Sequence, residues 1–168
     1  MYVKQQGDIL LFRTLQTLEV REIDWIERLQ DGKQPYTYYH CSVVVDEHTQ
    51  IESNGKTVRI NAIPSGGFDA FRPPISLEGR QRGIEQLTKL VGQTYDWVLI
   101  VDDVLRALTH NLLHLPIKFV AREERYRKIC STVVVAYLNA AGWNHGLTLN
   151  ALPEDIYIVL RNYQVYTV

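Results

Sequence analysis

The stretch KICSTVVVAYLNAAG, residues 128–142, carries the clearest helical pattern in the chain. Its apolar residues recur at the spacing of one buried helix face, namely Val133, Val134, Tyr137, Leu138 and Ala141. Consecutive valines are also typical of a strand, but the small alanines and a terminal glycine, Gly142, favour a helix. We therefore predict a helix that begins at Cys130 and ends at Gly142.

The predicted place of Cys130 in the first helical turn favours a reactive thiol. Unpaired backbone N–H groups and the positive end of the helix dipole stabilise a thiolate there, which lowers the thiol pKa. The alternative is an inert core residue, because free cysteine is among the most buried residue types. A base close to Cys130 would decide between these two interpretations.

The composition indicates a single globular domain over residues 1–168. Of the 168 residues, 46% are hydrophobic and 22% are charged, as in ordinary globular proteins. The 18 basic and 19 acidic residues leave a net charge of −1, which gives no reason to expect nucleic acid as a partner. The two cysteines, Cys41 and Cys130, are too few for a disulfide framework, so we expect both to be reduced.

The sequence contains no targeting pattern. The N-terminus lacks the apolar core of a signal peptide, and no segment approaches the run of about 20 apolar residues that a membrane span needs. We therefore expect no membrane span and a cytoplasmic location. A phage-encoded protein that is released by lysis or injected with a tail would show the same features.

Strand patterns dominate the first half of the chain, and helix patterns dominate the second. Apolar, aromatic and β-branched runs predict strands at 7–13, 36–45, 50–53, 57–60, 68–72 (as an edge strand) and 163–168. Helical spacing predicts helices at 76–91 and 97–113, a short helical turn at 23–29, a charged loop at 122–128 and an irregular stretch at 152–156. This order predicts an α+β fold, an antiparallel sheet packed against helices.

His40 is the base that we expect to pair with Cys130. Alternation in its strand places two sets of side chains on opposite faces: Tyr38, His40, Ser42 and Val44 on one, and Tyr39, Cys41, Val43 and Val45 on the other. Cys41 therefore points away from His40, and we expect it to be a core residue. An imidazole beside a helix-start thiol forms a thiolate–imidazolium pair, which activates cysteine near neutral pH. The alternative for His40 is a structural strand histidine.

Glu52 is the residue that we expect to orient His40, because such a pair works best when a third polar group fixes the imidazole tautomer. A hairpin that pairs Ser42 with Glu52 places Glu52 on the His40 face, whereas a slip of one residue places it on the other face. Asn54 shares the strand parity of Glu52 and is the second candidate. The alternative for Glu52 is a solvated hairpin carboxylate.

The order of these motifs resembles the circularly permuted branch of the NlpC-type papain-like cysteine hydrolases. The resemblance rests on Gly7-Asp8-Ile9-Leu10, Tyr39-His40-Cys41-Ser42-Val43-Val44-Val45, Ile51-Glu52-Ser53 and Cys130-Ser131-Thr132-Val133-Val134. In that branch the strand with the histidine precedes the helix with the cysteine. The resemblance covers residues 7–135 and implies a papain-like fold in which the cysteine helix packs against the strands.

The resemblance also implies roles for single residues. Cys130 would be the nucleophile, His40 the general base and then acid, and Glu52 the group that orients His40. The backbone N–H of Cys130 would stabilise the oxyanion. The segment around Tyr95, Gly92-Gln93-Thr94-Tyr95-Asp96-Trp97, is similar to one that precedes the nucleophile in the family. Here a predicted helix separates Tyr95 from Cys130, so the Tyr95-Asp96 pair also fits a helix cap.

The function that the resemblance implies is acyl transfer through a thioester, without a cofactor. The substrate would be an amide bond in a peptide, in a peptidoglycan stem peptide or in another acyl amide. Two alternatives stay open, a non-catalytic binding module of the same fold and a lipid acyl esterase or acyltransferase. A hydrolase needs an exposed thiol of low pKa near the histidine, and a binding module does not.

A metal site is the weakest of the motifs. His110 and His114 have the spacing of one helix face, but the segment lacks the glutamate of a His-Glu-x-x-His motif and a third ligand. We therefore predict no metal site.

Overall fold

The computed structural model describes residues 2–13, 38–53, 57–92, 122–149 and 151–167. Its strands are β1 (Ile9–Arg13), β2 (Tyr38–Val44), β3 (Thr49–Ser53), β4 (Val58–Ala62), β5 (Phe68–Phe71) and β6 (Gln164–Tyr166). Its helices are α1 (Leu77–Thr88), α2 (Arg122–Ala140) and α3 (Pro153–Leu160), and a 3₁₀ turn at Arg161–Tyr163 leads into β6. The predictions for 23–29, Asn54, Tyr95, 97–113, His110 and His114 lie outside the described residues.

The six strands form one antiparallel sheet in the order β4-β3-β2-β1-β5-β6. Together with the three helices, the sheet confirms the predicted α+β class. The prediction that residues 68–72 form an edge strand is wrong, because β5 pairs with β1 on one side and with β6 on the other. The last strand of the chain covers that edge.

The sheet buries apolar side chains on both faces. On the helix side, the strand residues Ile9, Leu11, Cys41, Val43, Ile51 and Phe71 join one large core cluster with residues of all three helices. On the opposite face, a smaller cluster contains Leu10, Phe12, Val44, Phe68 and Ala70. The central strands are therefore covered on both sides, and polar groups among them need internal partners.

Helices α1 and α2 pack closely because α1 carries glycine at the contact. Ser76 caps α1, since its hydroxyl accepts a hydrogen bond from the N–H of Gly79 at 3.1 Å, as its position in the sequence predicted. A Cβ atom on Gly83 would lie 2.5 Å from the ring of Tyr137 in α2. The missing side chain is what allows the two helices to approach.

The start of α2 differs from the prediction. The helix begins at Arg122, so the residues predicted as a charged loop are helical, and Cys130 lies about two turns inside. Arginine, glutamate and lysine are good helix formers, and no proline or glycine interrupts this run. The predicted end of the helix, at Gly142, differs by two residues from the observed end at Ala140. Gly142 follows the helix with a φ of 77°, as a glycine after a helix C-terminus commonly does.

The start of α3 also differs from the prediction. Residues 152–156 were predicted to be irregular, but Pro153 opens α3, where a proline fits the first helical turn.

Within the described residues, no helix combines the length and the apolar character that crossing a membrane requires.

Candidate active site

A bulge in β2 sets the direction of His40. In the pairing with β1, His40 lies opposite Phe12 and Tyr38 lies opposite Arg13, so Tyr39 is an extra residue. The simple alternation predicted for this strand is therefore wrong at Tyr38, which lies in the helix-side cluster. His40 remains on the opposite face, where its ring lies 5.3 Å from that of Phe12.

The register of β2 with β3 places Glu52 on the same face as His40. The paired residues are Val43 with Ile51 and Val44 with Gln50, and one further step in this register sets Ser42 opposite Glu52. This is the first of the two registers that the sequence left open. The Nε2 atom of His40 lies 2.8 Å from Oε2 of Glu52.

Both oxygens of the Glu52 carboxylate have further partners. Oε1 accepts hydrogen bonds from Arg59, at 3.1 Å from Nη2, and from the amide of Asn61. Oε2 is 3.5 Å from the amide nitrogen of Gln50, whose own oxygen accepts a 2.7 Å hydrogen bond from Ser42. These donors hold the carboxylate in one orientation toward His40.

Sequence reasoning did not identify the β4 partners of Glu52. Glu52 pairs directly with Arg59 across the β3–β4 ladder, and Asn61 follows two residues later on the same face. The hairpin pattern was the signal that could have found them, because opposite charges at paired positions stabilise each other. The hydrogen bond from His40 is the main cause that lowers the pKa of Glu52 to about 2; partial burial opposes it, and Asn61 and Arg59 assist.

Cys130 reaches His40 from the other side of the sheet. It belongs to the helix-side core cluster, is 1% exposed, and its side chain is hydrogen-bonded to both Cys41 and His40. Within the described residues, the pairing of β2 with β3 ends at Val43 and Ile51. Cys41 therefore lies beyond the last β2–β3 pair, next to the thiol from α2 and the imidazole.

The ionisation of Cys130 and His40 is shifted in opposite directions. Burial raises the pKa of Cys130, but hydrogen bonds from Cys41 and His40 and the charge of the imidazolium outweigh it and lower the pKa to about 5. Burial lowers the pKa of His40, but hydrogen bonds to Cys130 and Glu52 and their charges raise it to about 9. Between these values, the pair is a thiolate and an imidazolium.

The helix N-terminus does not contribute to this shift, contrary to the sequence prediction. Since α2 begins at Arg122, the N–H of Cys130 belongs to the regular hydrogen-bond ladder and is not an oxyanion donor. Ser131 and Thr132, interpreted as a polar helix start, instead donate hydrogen bonds to the carbonyls of Ala151 and Leu149. They attach the following loop to α2.

A second polar cluster lies apart from Cys130, His40 and Glu52. Asp69 accepts hydrogen bonds from Tyr38 at 2.5 Å, from Arg13 at 2.9 Å and from Thr167 at 2.8 Å. A cavity of about 560 Å³ is lined by these four residues and by residues of α3 and β6, and not by the Cys130 site. The cluster ties β1, β2 and β5 together.

The described residues contain no group of three or more His, Cys, Asp or Glu side chains that could hold a metal ion.

The structure brings together three of the four candidate residues, Cys130, His40 and Glu52, while Tyr95 lies outside the described part of the chain. No protein-family model matches the chain, and no curated protein matches its sequence.

Proposed function

We propose that the protein is a cysteine hydrolase that cleaves amide bonds in peptides or peptidoglycan stem peptides. The observation that supports this proposal is the chain of hydrogen bonds from Cys130 to His40 to Glu52, together with the opposite shifts of the first two pKa values. A nucleophile, a base and a group that orients the base are the parts that covalent catalysis by cysteine needs.

In the proposed reaction, the Cys130 thiolate attacks the carbonyl carbon and forms the C–S bond. The His40 imidazolium gives its proton to the leaving nitrogen, the C–N bond breaks, and a thioester remains. The neutral imidazole then takes a proton from water, whose oxygen attacks the thioester carbon. The C–S bond breaks, the acid is released, and the Cys130 thiolate and the His40 imidazolium are restored. Glu52 remains ionised throughout, because its pKa is about 2, and keeps the imidazole in one orientation.

The proposed fold is papain-like, of the circularly permuted NlpC type. An antiparallel sheet that carries His40 and a later helix that carries Cys130 are compatible with it. Gly7 and Asp8, the Gly-Asp pair of the resemblance, both make close contacts in the fold. Gly7 has a φ of 83° and leaves no room for a Cβ beside Tyr137, while the buried Asp8 accepts a 2.8 Å hydrogen bond from Arg72.

A non-catalytic module of the same fold is the second candidate, and the burial of Cys130 favours it. The thiol is almost fully buried, whereas His40 keeps 20% of its side chain exposed. Under our proposal, the substrate therefore approaches on the side of His40. A lipid acyl substrate is less well supported, because the groups around Glu52 are polar: Gln50, Arg59 and Asn61.

The test is hydrolysis of peptides and of purified peptidoglycan, followed by the appearance of new free amines. We expect Cys130→Ser and His40→Ala to abolish activity. His48→Ala is the matched control, because His48 lies in the β2–β3 turn with 81% of its side chain exposed. Full activity in Cys130→Ser would contradict the proposal, and so would a Cys130 thiol that reacts with iodoacetamide only after unfolding.

A further inference from the structure

Cys41 is a buried thiol that the proposed reaction leaves without a role. It lies on β2 next to His40, but its side chain points to the helix side of the sheet, where it is fully buried in the core cluster. This agrees with the predicted core position. The same orientation also places it against α2, which carries Cys130.

Cys41 contacts the sulfur of Cys130 in two ways. Its thiol and its backbone N–H are both hydrogen-bonded to the Cys130 side chain. The N–H is available because successive N–H groups along an antiparallel strand point to alternate sides. The N–H of Val44 points to β1, where it bonds the carbonyl of Asp8 at 2.8 Å, so that of Cys41 points to the β3 side, beyond the last β2–β3 pair.

The two thiols differ in ionisation. Burial raises the pKa of Cys41 well above its ordinary value, and the neighbouring Cys130 raises it further. The first proton of such a pair therefore leaves Cys130 and the second stays on Cys41. Cys41 thus remains an S–H donor beside a thiolate.

We infer that Cys41 is a catalytic residue of the site, whose thiol and backbone N–H hold the Cys130 sulfur as a thiolate. This inference rests on the proposed function. Together with the imidazolium of His40, these two donors replace the helix N-terminus that Cys130 lacks. Hydrogen bonds to the charged form of a buried group favour that form, so Cys41 raises the fraction of reactive thiolate.

The test is the pH dependence of Cys130 alkylation by iodoacetamide, with the modified peptide identified by mass spectrometry. Its midpoint is expected near pH 5 in the parent protein. Cys41→Ala removes the S–H donor, and the rate below the midpoint should fall by about tenfold. Cys41→Ser keeps a donor and should restore the parent midpoint. In the pH profile of hydrolysis, the acid limb should shift to higher pH in Cys41→Ala and should return to its parent position in Cys41→Ser.

The matched control is Val43→Ala, which removes core volume on the same strand and face without removing a donor. It should leave the midpoint in place. If Cys41→Ala does not fold, Cys41→Val fills the volume without an S–H group and should show the same tenfold loss.

Two outcomes separate this inference from the proposed function. If Cys41→Ala and Cys41→Val alkylate like the parent while His40→Ala reacts more slowly, Cys41 is only a packing residue and the hydrolase proposal stands. If none of these variants changes the midpoint, both proposals fall.

Discussion

Replacement of Glu52 by glutamine should weaken the thiolate–imidazolium pair. The amide keeps the shape of the side chain but removes the negative charge that lies 2.8 Å from Nε2 of His40. Without that charge the imidazolium is less stable, so the pKa of His40 falls. A less stable imidazolium also stabilises the thiolate less, so the pKa of Cys130 rises.

The magnitude follows from the carboxylate. The pKa of Glu52 is about 2 instead of 4.5, a difference of about 2.5 that corresponds to about 3.4 kcal/mol. His40 supplies the largest stabilising contribution, and Asn61 and Arg59 supply the rest. Because both partners share the interaction energy, Glu52→Gln should lower the pKa of His40 by about 1 to 2 from its value of about 9.

The measurement is an NMR titration of the histidine ring protons, with the His40 signal assigned by its absence in His40→Ala. Glu47→Gln is the matched control, because Glu47 lies in the β2–β3 turn with 77% of its side chain exposed. We expect His40 to titrate near pH 9 in the parent and in Glu47→Gln, and clearly lower in Glu52→Gln. An unchanged titration in Glu52→Gln would refute the assigned role of the carboxylate.

Three further predictions test the site and the fold. The profile of kcat/KM against pH should be a bell with an acid limb near 5 and a basic limb near 9, because the reaction needs the thiolate and the imidazolium together; a single limb would argue against the ion pair. Gly83→Ala should lower the free energy of unfolding by about 1 to 3 kcal/mol in urea titrations, since a Cβ there meets Tyr137. Gly66→Ala, which meets nothing within 4 Å, should be neutral, and equal stability of the two variants would contradict the close helix contact. Tyr38→Phe removes a buried hydrogen bond to Asp69 and should cost about 1 to 3 kcal/mol in the same titration, with hydrolysis retained; lost hydrolysis in the folded variant would place this cluster in the site.

The sheet could be predicted from the sequence because its signals are local. Runs of apolar and β-branched residues separated by turn residues identified every described strand, and the hairpin register that pairs Ser42 with Glu52 was one of two explicit possibilities. Those two registers differ only in which face Glu52 occupies. The structure selects the one in which Glu52 meets His40.

The errors in the sequence predictions have different causes. A bulge adds one residue to β2 at Tyr39 without any change in residue type, so strict alternation gave the wrong face for Tyr38. The run from Arg122 to Lys128 is charged at six of its seven positions and was predicted to be a loop, although its residues form a helix readily. The contact of Cys41 with Cys130 joins a strand to a helix far along the chain, and no local pattern predicts such a contact.

The candidate site spans the sheet, and this explains how a thiol inside a helix becomes a thiolate. Cys130 approaches from the helix side, and His40 and Glu52 lie on the opposite face. They meet where β2 carries a bulge before His40, and Cys41 lies beyond the last β2–β3 pair that the described residues form. The reactivity of Cys130 should therefore depend on the conformation of β2.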